Sequence, residues 1–156
     1  MKKNLLAFLL LGIFAISFNA CKKDEGEEAC PTVTNTWSVG SKSYSSSALL
    51  PPSFSSGSLT AFTTAGDVLT IEFKAKPTAS GTYKVVLLGA TLADNECKVS
   101  ARDSDSGTLY FGTGSTGSIT VCVEEGKVKT RGSSLTLTYI DGGEEKTASL
   151  TFNVGE

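Results

Sequence analysis

Two stretches of this 156-residue chain match ligand-binding patterns by residue type and spacing. Residues 112–117, GTGSTG, fit the G-x-G-x-x-G of dinucleotide loops letter for letter. Such a loop works because it ends a strand and opens a helix, whose N-terminal amides receive the pyrophosphate. Here SITVCV follows, alternating apolar and polar residues as a strand does. With no helix to supply the dipole, the stretch reads as a hairpin loop. Residues 103–107, DSDSG, look like the opening of a calcium loop. That loop needs further oxygen ligands and a glutamate at its twelfth position, where this chain has Gly114. The stretch therefore reads as an Asx-type turn, the alternative being weak surface Ca²⁺ binding through Asp103 and Asp105.

The chain has no histidine, which excludes Ser-His and Cys-His dyads and a histidine metal site. Asp94 with Glu96, or Glu144 with Glu145, could serve as a glycosidase pair, but both pairs sit beside turn residues where charge is simply solvated. No serine and lysine are placed together in a dry site. The expectation is no catalytic residue, no cofactor and no resident metal. Binding is the remaining chemistry. Trp37, Tyr44, Phe54 and Tyr110 carry flat faces that can stack on sugar rings. Trp37 shares a strand face with Val39, so it reads as core. Residues 45–58, SSSALLPPSFSSGS, set Leu49, Leu50 and Phe54 in a serine-rich connection. They form either a plug for an open end of the fold or a contact surface for a partner or a glycan. The candidate binding residues are Leu49, Leu50, Phe54, Tyr44 and Tyr110.

The four cysteines divide by address. Lys2 and Lys3, the apolar run 5–18, and small Ala20 before Cys21 form an export signal that is too short to span a bilayer. Cutting after Ala20 by the general signal peptidase would put bulky Phe18 at −3. The segment 17–21, SFNAC, instead resembles the lipobox of bacterial lipoproteins, with Phe18 where Leu is usual. That resemblance implies cleavage of residues 1–20 and a diacylglyceryl group on the Cys21 thiol. A multiply acylated Cys21 would be a lasting membrane tether. Removing residues 1–20 takes away two of the 14 basic residues and none of the 16 acidic ones, moving the formal charge from −2 to −4. Such acidity argues against nucleic acid as a partner. Cys30, Cys97 and Cys122 remain, an odd number in a compartment that permits disulfides. In ITVCVEE, Cys122 takes the face opposite Ile119, Val121 and Val123, while Cys97 lies with Val99 and Ala101. If those sets face the core, Cys97 is inside and Cys122 outside. A Cys97–Cys122 bridge would then need a local twist, whereas Cys30 on its tether could reach Cys122.

Residues 21–33 read as a solvated acidic tether and residues 34–156 as one all-β domain. Runs of Thr and Val alternate with polar residues between short turns. TWSVGSKSY reads as a hairpin turning at Gly40-Ser41, and 58–74 as a second turning at 65–67 with Leu69, Ile71 and Phe73 on one face. GTYKVVLL adds Tyr83, Val85 and Leu87. Residues 127–140 are long for one strand, so a bulge or break is expected near Gly132. About ten strands joined by short turns imply an antiparallel meander folded into a sandwich or closed barrel.

The segment CKKDEGEE resembles the lysine-then-acidic pattern that follows the acylated cysteine of Bacteroidota lipoproteins displayed on the outer membrane's outer face. The whole chain resembles small outer-membrane lipoproteins of that phylum with a single all-β domain. It shares their W-x-V-x-x-K-x-Y-like hairpin, here Trp37, Val39, Lys42 and Tyr44, and their SGTYKVV stretch, residues 80–86. The resemblance implies an address, the cell surface, and a fold, with no activity. The expected function is a non-enzymatic, lipid-anchored domain that binds a glycan or an envelope protein. The alternatives are a structural component of the outer membrane or a carrier of a small apolar ligand.

Overall fold

The computed structural model describes residues 30–156. The expected leader, Cys21 and the acidic stretch 22–29 lie outside the described residues. Eleven strands run in order: β1 Thr36–Val39, β2 Lys42–Ser45, β3 Ser53–Ser55, β4 Ser58–Phe62, β5 Val68–Phe73, β6 Gly81–Val85, β7 Glu96–Arg102, β8 Leu109–Gly112, β9 Ser118–Glu124, β10 Lys127–Asp141 and β11 Glu144–Gly155. The fold is all-β. Period-2 patterning generates it: β5 and β7 alternate between buried and half-buried positions along nearly their whole length. The β9–β10 and β10–β11 turns place both central residues, Glu125-Gly126 and Gly142-Gly143, at positive φ. That geometry matches the twist of the flanking strands and fixes their register.

The strand order β2-β1-β11-β10-β9-β6-β7-β5-β4-β3 departs from a meander. β1 lies beside the last strand, with Trp37 opposite Phe152. β6 stands between β9 and β7, and its pairing with β7 is parallel, Lys84 opposite Glu96 and Val85 opposite Cys97. An all-antiparallel sheet was the expectation, and alternation could not reveal this exception, because it reports which face is buried and says nothing of the neighbour. β8 pairs with both β10 and β7. The circuit β10-β9-β6-β7-β8 is therefore a closed ring, with β11-β1-β2 extending from β10 and β5-β4-β3 extending from β7.

The ring and its extensions enclose one core that includes Trp37, Val39, Leu59, Ile71, Phe73, Val85, Cys97, Val99, Val121, Leu137, Leu150 and Phe152. Trp37 is core, as its alternation with Val39 implied. Leu87 does not join it. β6 ends at Val85, and Leu87 is 51% exposed in the connection that follows. β10 carries the expected irregularity, a register shift between Gly132 and Leu135, with Ser134 at φ 55°. The cause is local packing. A Cβ on Gly132 would lie 2.4 Å from Cε1 of Phe152, so the ring of β11 occupies the space that a side chain on β10 would need.

Candidate functional site

Two polar regions stand out, and they differ in how their polar groups are used. The first is a knot at the end of β7. Asp103, only 2% exposed, accepts backbone amides of Asp105 (3.0 Å) and Ser106 (3.1 Å) on Oδ1. Its Oδ2 takes the ammonium of Lys42 and the hydroxyl of Tyr44, the latter at 3.2 Å. The Tyr44 ring in turn stacks on Trp37, centroids 5.5 Å apart. Buried Asp67 lies in the same region and accepts the Ser104 amide and hydroxyl, both at 2.9 Å, and the Thr63 hydroxyl at 2.7 Å. These bonds carry the chain across the gap between β2 and the β4-β5-β7 half. Ser46 Oγ adds a bond to the Phe62 carbonyl, 3.1 Å.

Electrostatics follows from this arrangement. The Lys42 hydrogen bond outweighs burial and holds the Asp103 carboxyl at about 2, with the Ser106 amide and Tyr44 hydroxyl assisting. The same bond raises Lys42. Burial, then the Asp103 charge, pushes the Tyr44 phenol well above its usual value, and Tyr110 is raised by the same two causes. Burial works to raise Asp67, but the bonds from Ser104 and Thr63 prevail and its carboxyl is lowered. The DSDSG stretch is an Asx turn, as expected. Both oxygens of Asp103 are engaged by protein donors, and Lys42 stands at Oδ2 where a cation would sit. The GTGSTG stretch is a turn closed by the Thr116 amide on the Thr113 carbonyl, 3.0 Å. It joins β8 to β9, strands that do not pair, so it is not a hairpin loop.

The second region is the outer face of β2, β1, β11, β10 and β9. Directly opposed residues on paired strands share a face. The register runs Ser45, Thr36, Asn153, Arg131, Thr120, Thr82 across six strands. Beside it lie Ser43, Ser38 and Thr151. Two adjoining depressions occupy this face, of about 510 and 400 Å³, and share Arg131 and Asn153. Little of this lining is engaged by the protein. Asn153 Nδ2 donates to the Thr32 carbonyl, 2.9 Å, Thr36 bonds Thr34, 2.8 Å, and Thr151 Oγ1 receives the Ser134 amide, 3.4 Å. Ser38, Ser43, Thr120 and Arg131 spend no side-chain donor on a partner among the described residues. Arg131 joins no ion pair there, whereas neighbouring Lys129 is held by Glu124.

The cysteines settle at the edge of this face. Cys30 and Cys122 form a disulfide, Cα atoms 5.6 Å apart, and Cys97 is a buried free thiol that burial pushes up to about 12. Cys122 faces outward opposite Lys129, so the bridge pins the entering chain beside the groove, and Pro31 forms part of its wall.

The candidate binding residues separate in space. Tyr44 bonds Asp103, while Tyr110, whose phenol feels the Asp103 charge, packs on Tyr139, centroids 4.9 Å apart. Phe54 leaves the loop patch: it lies in β3, stacks on Phe73 at 6.1 Å, and has Lys76 over its ring. Leu49 and Leu50 stay in the open, 86% and 46% exposed. Arg131, Thr120 and Asn153 were not singled out from the sequence. Their signal is the polar phase of the alternation in KVKTR, SITVCV and SLTFNV, one residue from each strand. Comparison with protein-family models, with curated proteins and with solved structures gives no match.

Proposed function

We propose that this protein is a non-enzymatic glycan-binding domain, acylated at Cys21 and displayed on the outer face of an outer membrane, with the groove across β2-β1-β11-β10-β9 as its binding surface. One observation carries the reading: adjoining depressions lined by hydroxyls, an amide and a guanidinium, several of them without partners among the described residues. A saccharide presents a dense set of hydroxyls, and such a lining can meet them group for group. The tether supports the location. Cys21 to Cys30 is nine residues, which reach about 30 Å when extended, and the chain joins the domain at the groove's edge. The lack of histidine and the absence of a catalytic constellation in the sequence favour binding over turnover. The continuous core disfavours an apolar carrier, since the two largest depressions described lie on the outer face.

The test is a glycan array probed with the intact domain and with an Arg131→Gln, Asn153→Ala variant. Binding that falls in the variant, with the unfolding midpoint unchanged, supports the reading; equal binding rejects the groove. Protease shaving of intact cells, with a periplasmic protein as leakage control, tests display, and release from membranes by Cys21→Ser tests the anchor.

An envelope-protein partner is the second reading, and one surface favours it. Phe62, Val68, Arg102 and Leu109 lie in register across the outer face of β4, β5, β7 and β8, with Phe62 37% and Leu109 46% exposed. Crosslinking in cells that fails after Phe62→Ser and Leu109→Ser would favour it over the groove.

A further inference from the structure

The groove's charge is opposite to that of the chain around it. The protein carries a formal charge of −2, yet among the described residues neither depression is lined by an Asp or a Glu. Two cations, Lys129 and Arg131, line them instead. They are not equivalent. Lys129 is neutralised by Glu124, which leaves Arg131 as the cation without a carboxylate among the described residues. Arg131 stands where the depressions meet, with Asn153 opposite it on β11 and Thr120 opposite it on β9.

A guanidinium presents its N–H groups as a planar fork that matches a carboxylate bidentately, and a cation left free in a hydroxyl-lined groove selects for that charge. We propose that the groove takes an acidic glycan, with a sugar carboxylate on Arg131 and ring hydroxyls on Asn153, Thr120, Thr36 and Ser38. This rests on the glycan reading above and adds the charge of the ligand. The hydroxyl and amide groups position the sugar, and the guanidinium discriminates between acidic and neutral sugars. Glu124, by holding Lys129, confines that discrimination to one side chain.

The test uses oligosaccharides of three backbones, containing galacturonate, glucuronate or sialic acid, each beside its carboxyl-reduced neutral counterpart, titrated into the intact protein. The expected result is that at least one acidic probe binds about tenfold or more tighter than its neutral counterpart, and that the difference shrinks as salt rises. Arg131→Gln should erase the difference between acidic and neutral members, and Arg131→Lys should restore part of it. Lys146→Gln, on the β10–β11 hairpin, should change nothing. Equal binding of acidic and neutral members, or an acid preference that survives Arg131→Gln, would overturn the inference and leave the groove standing. Binding of none of the six would overturn the inference and the glycan reading together. An unfolding midpoint for each variant, measured beside the parent, separates lost recognition from lost structure.

Discussion

The Asp103 knot and the Arg131 groove are built from similar residues, yet one is closed and the other open. In the knot every oxygen of Asp103 and Asp67 has a donor from the protein itself, and the Tyr44 ring is backed by Trp37. In the groove Arg131, Thr120, Ser38 and Ser43 keep their donors free among the described residues. A polar group engaged by its neighbours holds structure, since leaving it alone in the interior would cost about 1–3 kcal/mol. A polar group on an open face gains nothing by folding and is available to a ligand. Stability should therefore reside in the knot and recognition in the groove.

Breaking the disulfide that joins the entering chain to the groove's edge should have the largest effect. Cys30 and Cys122 are 92 residues apart, so Cys122→Ser should lower stability by about 3–4 kcal/mol, read as a fall in the denaturant midpoint that reducing agent reproduces in the parent. Asp103→Ala attacks the knot. It leaves Lys42 and Tyr44 without their acceptor and the Asp105 and Ser106 amides unmet, at a cost of about 2–3 kcal/mol, while ligand binding measured below the unfolding midpoint should persist. Gly132→Ala tests the close packing of β10 on β11 beside the groove. Its Cβ would meet Phe152 at 2.4 Å, so an overpacking loss of about 1–3 kcal/mol is expected, with some loss of binding because Arg131 is the preceding residue.

The knot also sets a pH dependence. Asp103 has its carboxyl lowered in the folded protein, so it binds its proton more readily when unfolded. Its stabilisation is complete above the ordinary carboxylate value of about 4 and is lost as pH falls through about 2. Unfolding midpoints measured from pH 5 to pH 2 should drop less in Asp103→Asn than in the parent. The smallest effect on stability is expected at Arg131, where Arg131→Gln should stay within about 0.5 kcal/mol of the parent. That near-silence in stability, beside a loss of binding, would sharpen the contrast most.

Much of the frame was legible from residue alternation. Trp37 with Val39, Cys97 with Val99, and Leu150 with Phe152 are buried together because strand period puts them on one face. Gly132 revealed the irregularity in β10 for a related reason, since a long run interrupted by glycine rarely pairs evenly. The parallel pairing of β6 with β7 was hidden, because which strand neighbours which depends on how the whole sheet closes. Which of the loop's apolar residues turns inward was hidden for a similar cause: in sequence Phe54 lies near Leu50, but β3 turns it onto Phe73. The knot was half legible, as an Asx turn whose aspartate had no visible partner until Lys42 arrived from 61 residues away. The groove was hidden most completely, since Arg131, Thr120 and Asn153 come from three strands and look like ordinary solvated positions one at a time.

The most direct measurement is an amide chemical-shift titration of the ¹⁵N-labelled protein with the oligosaccharide that binds it best. The account expects saturable shifts at Thr36, Ser38, Thr120, Arg131, Thr151 and Asn153, with Asp103, Asp67 and their loop unmoved. Shifts centred on the Asp103 loop, or on Phe62 and Leu109, with the groove amides unchanged, would contradict it.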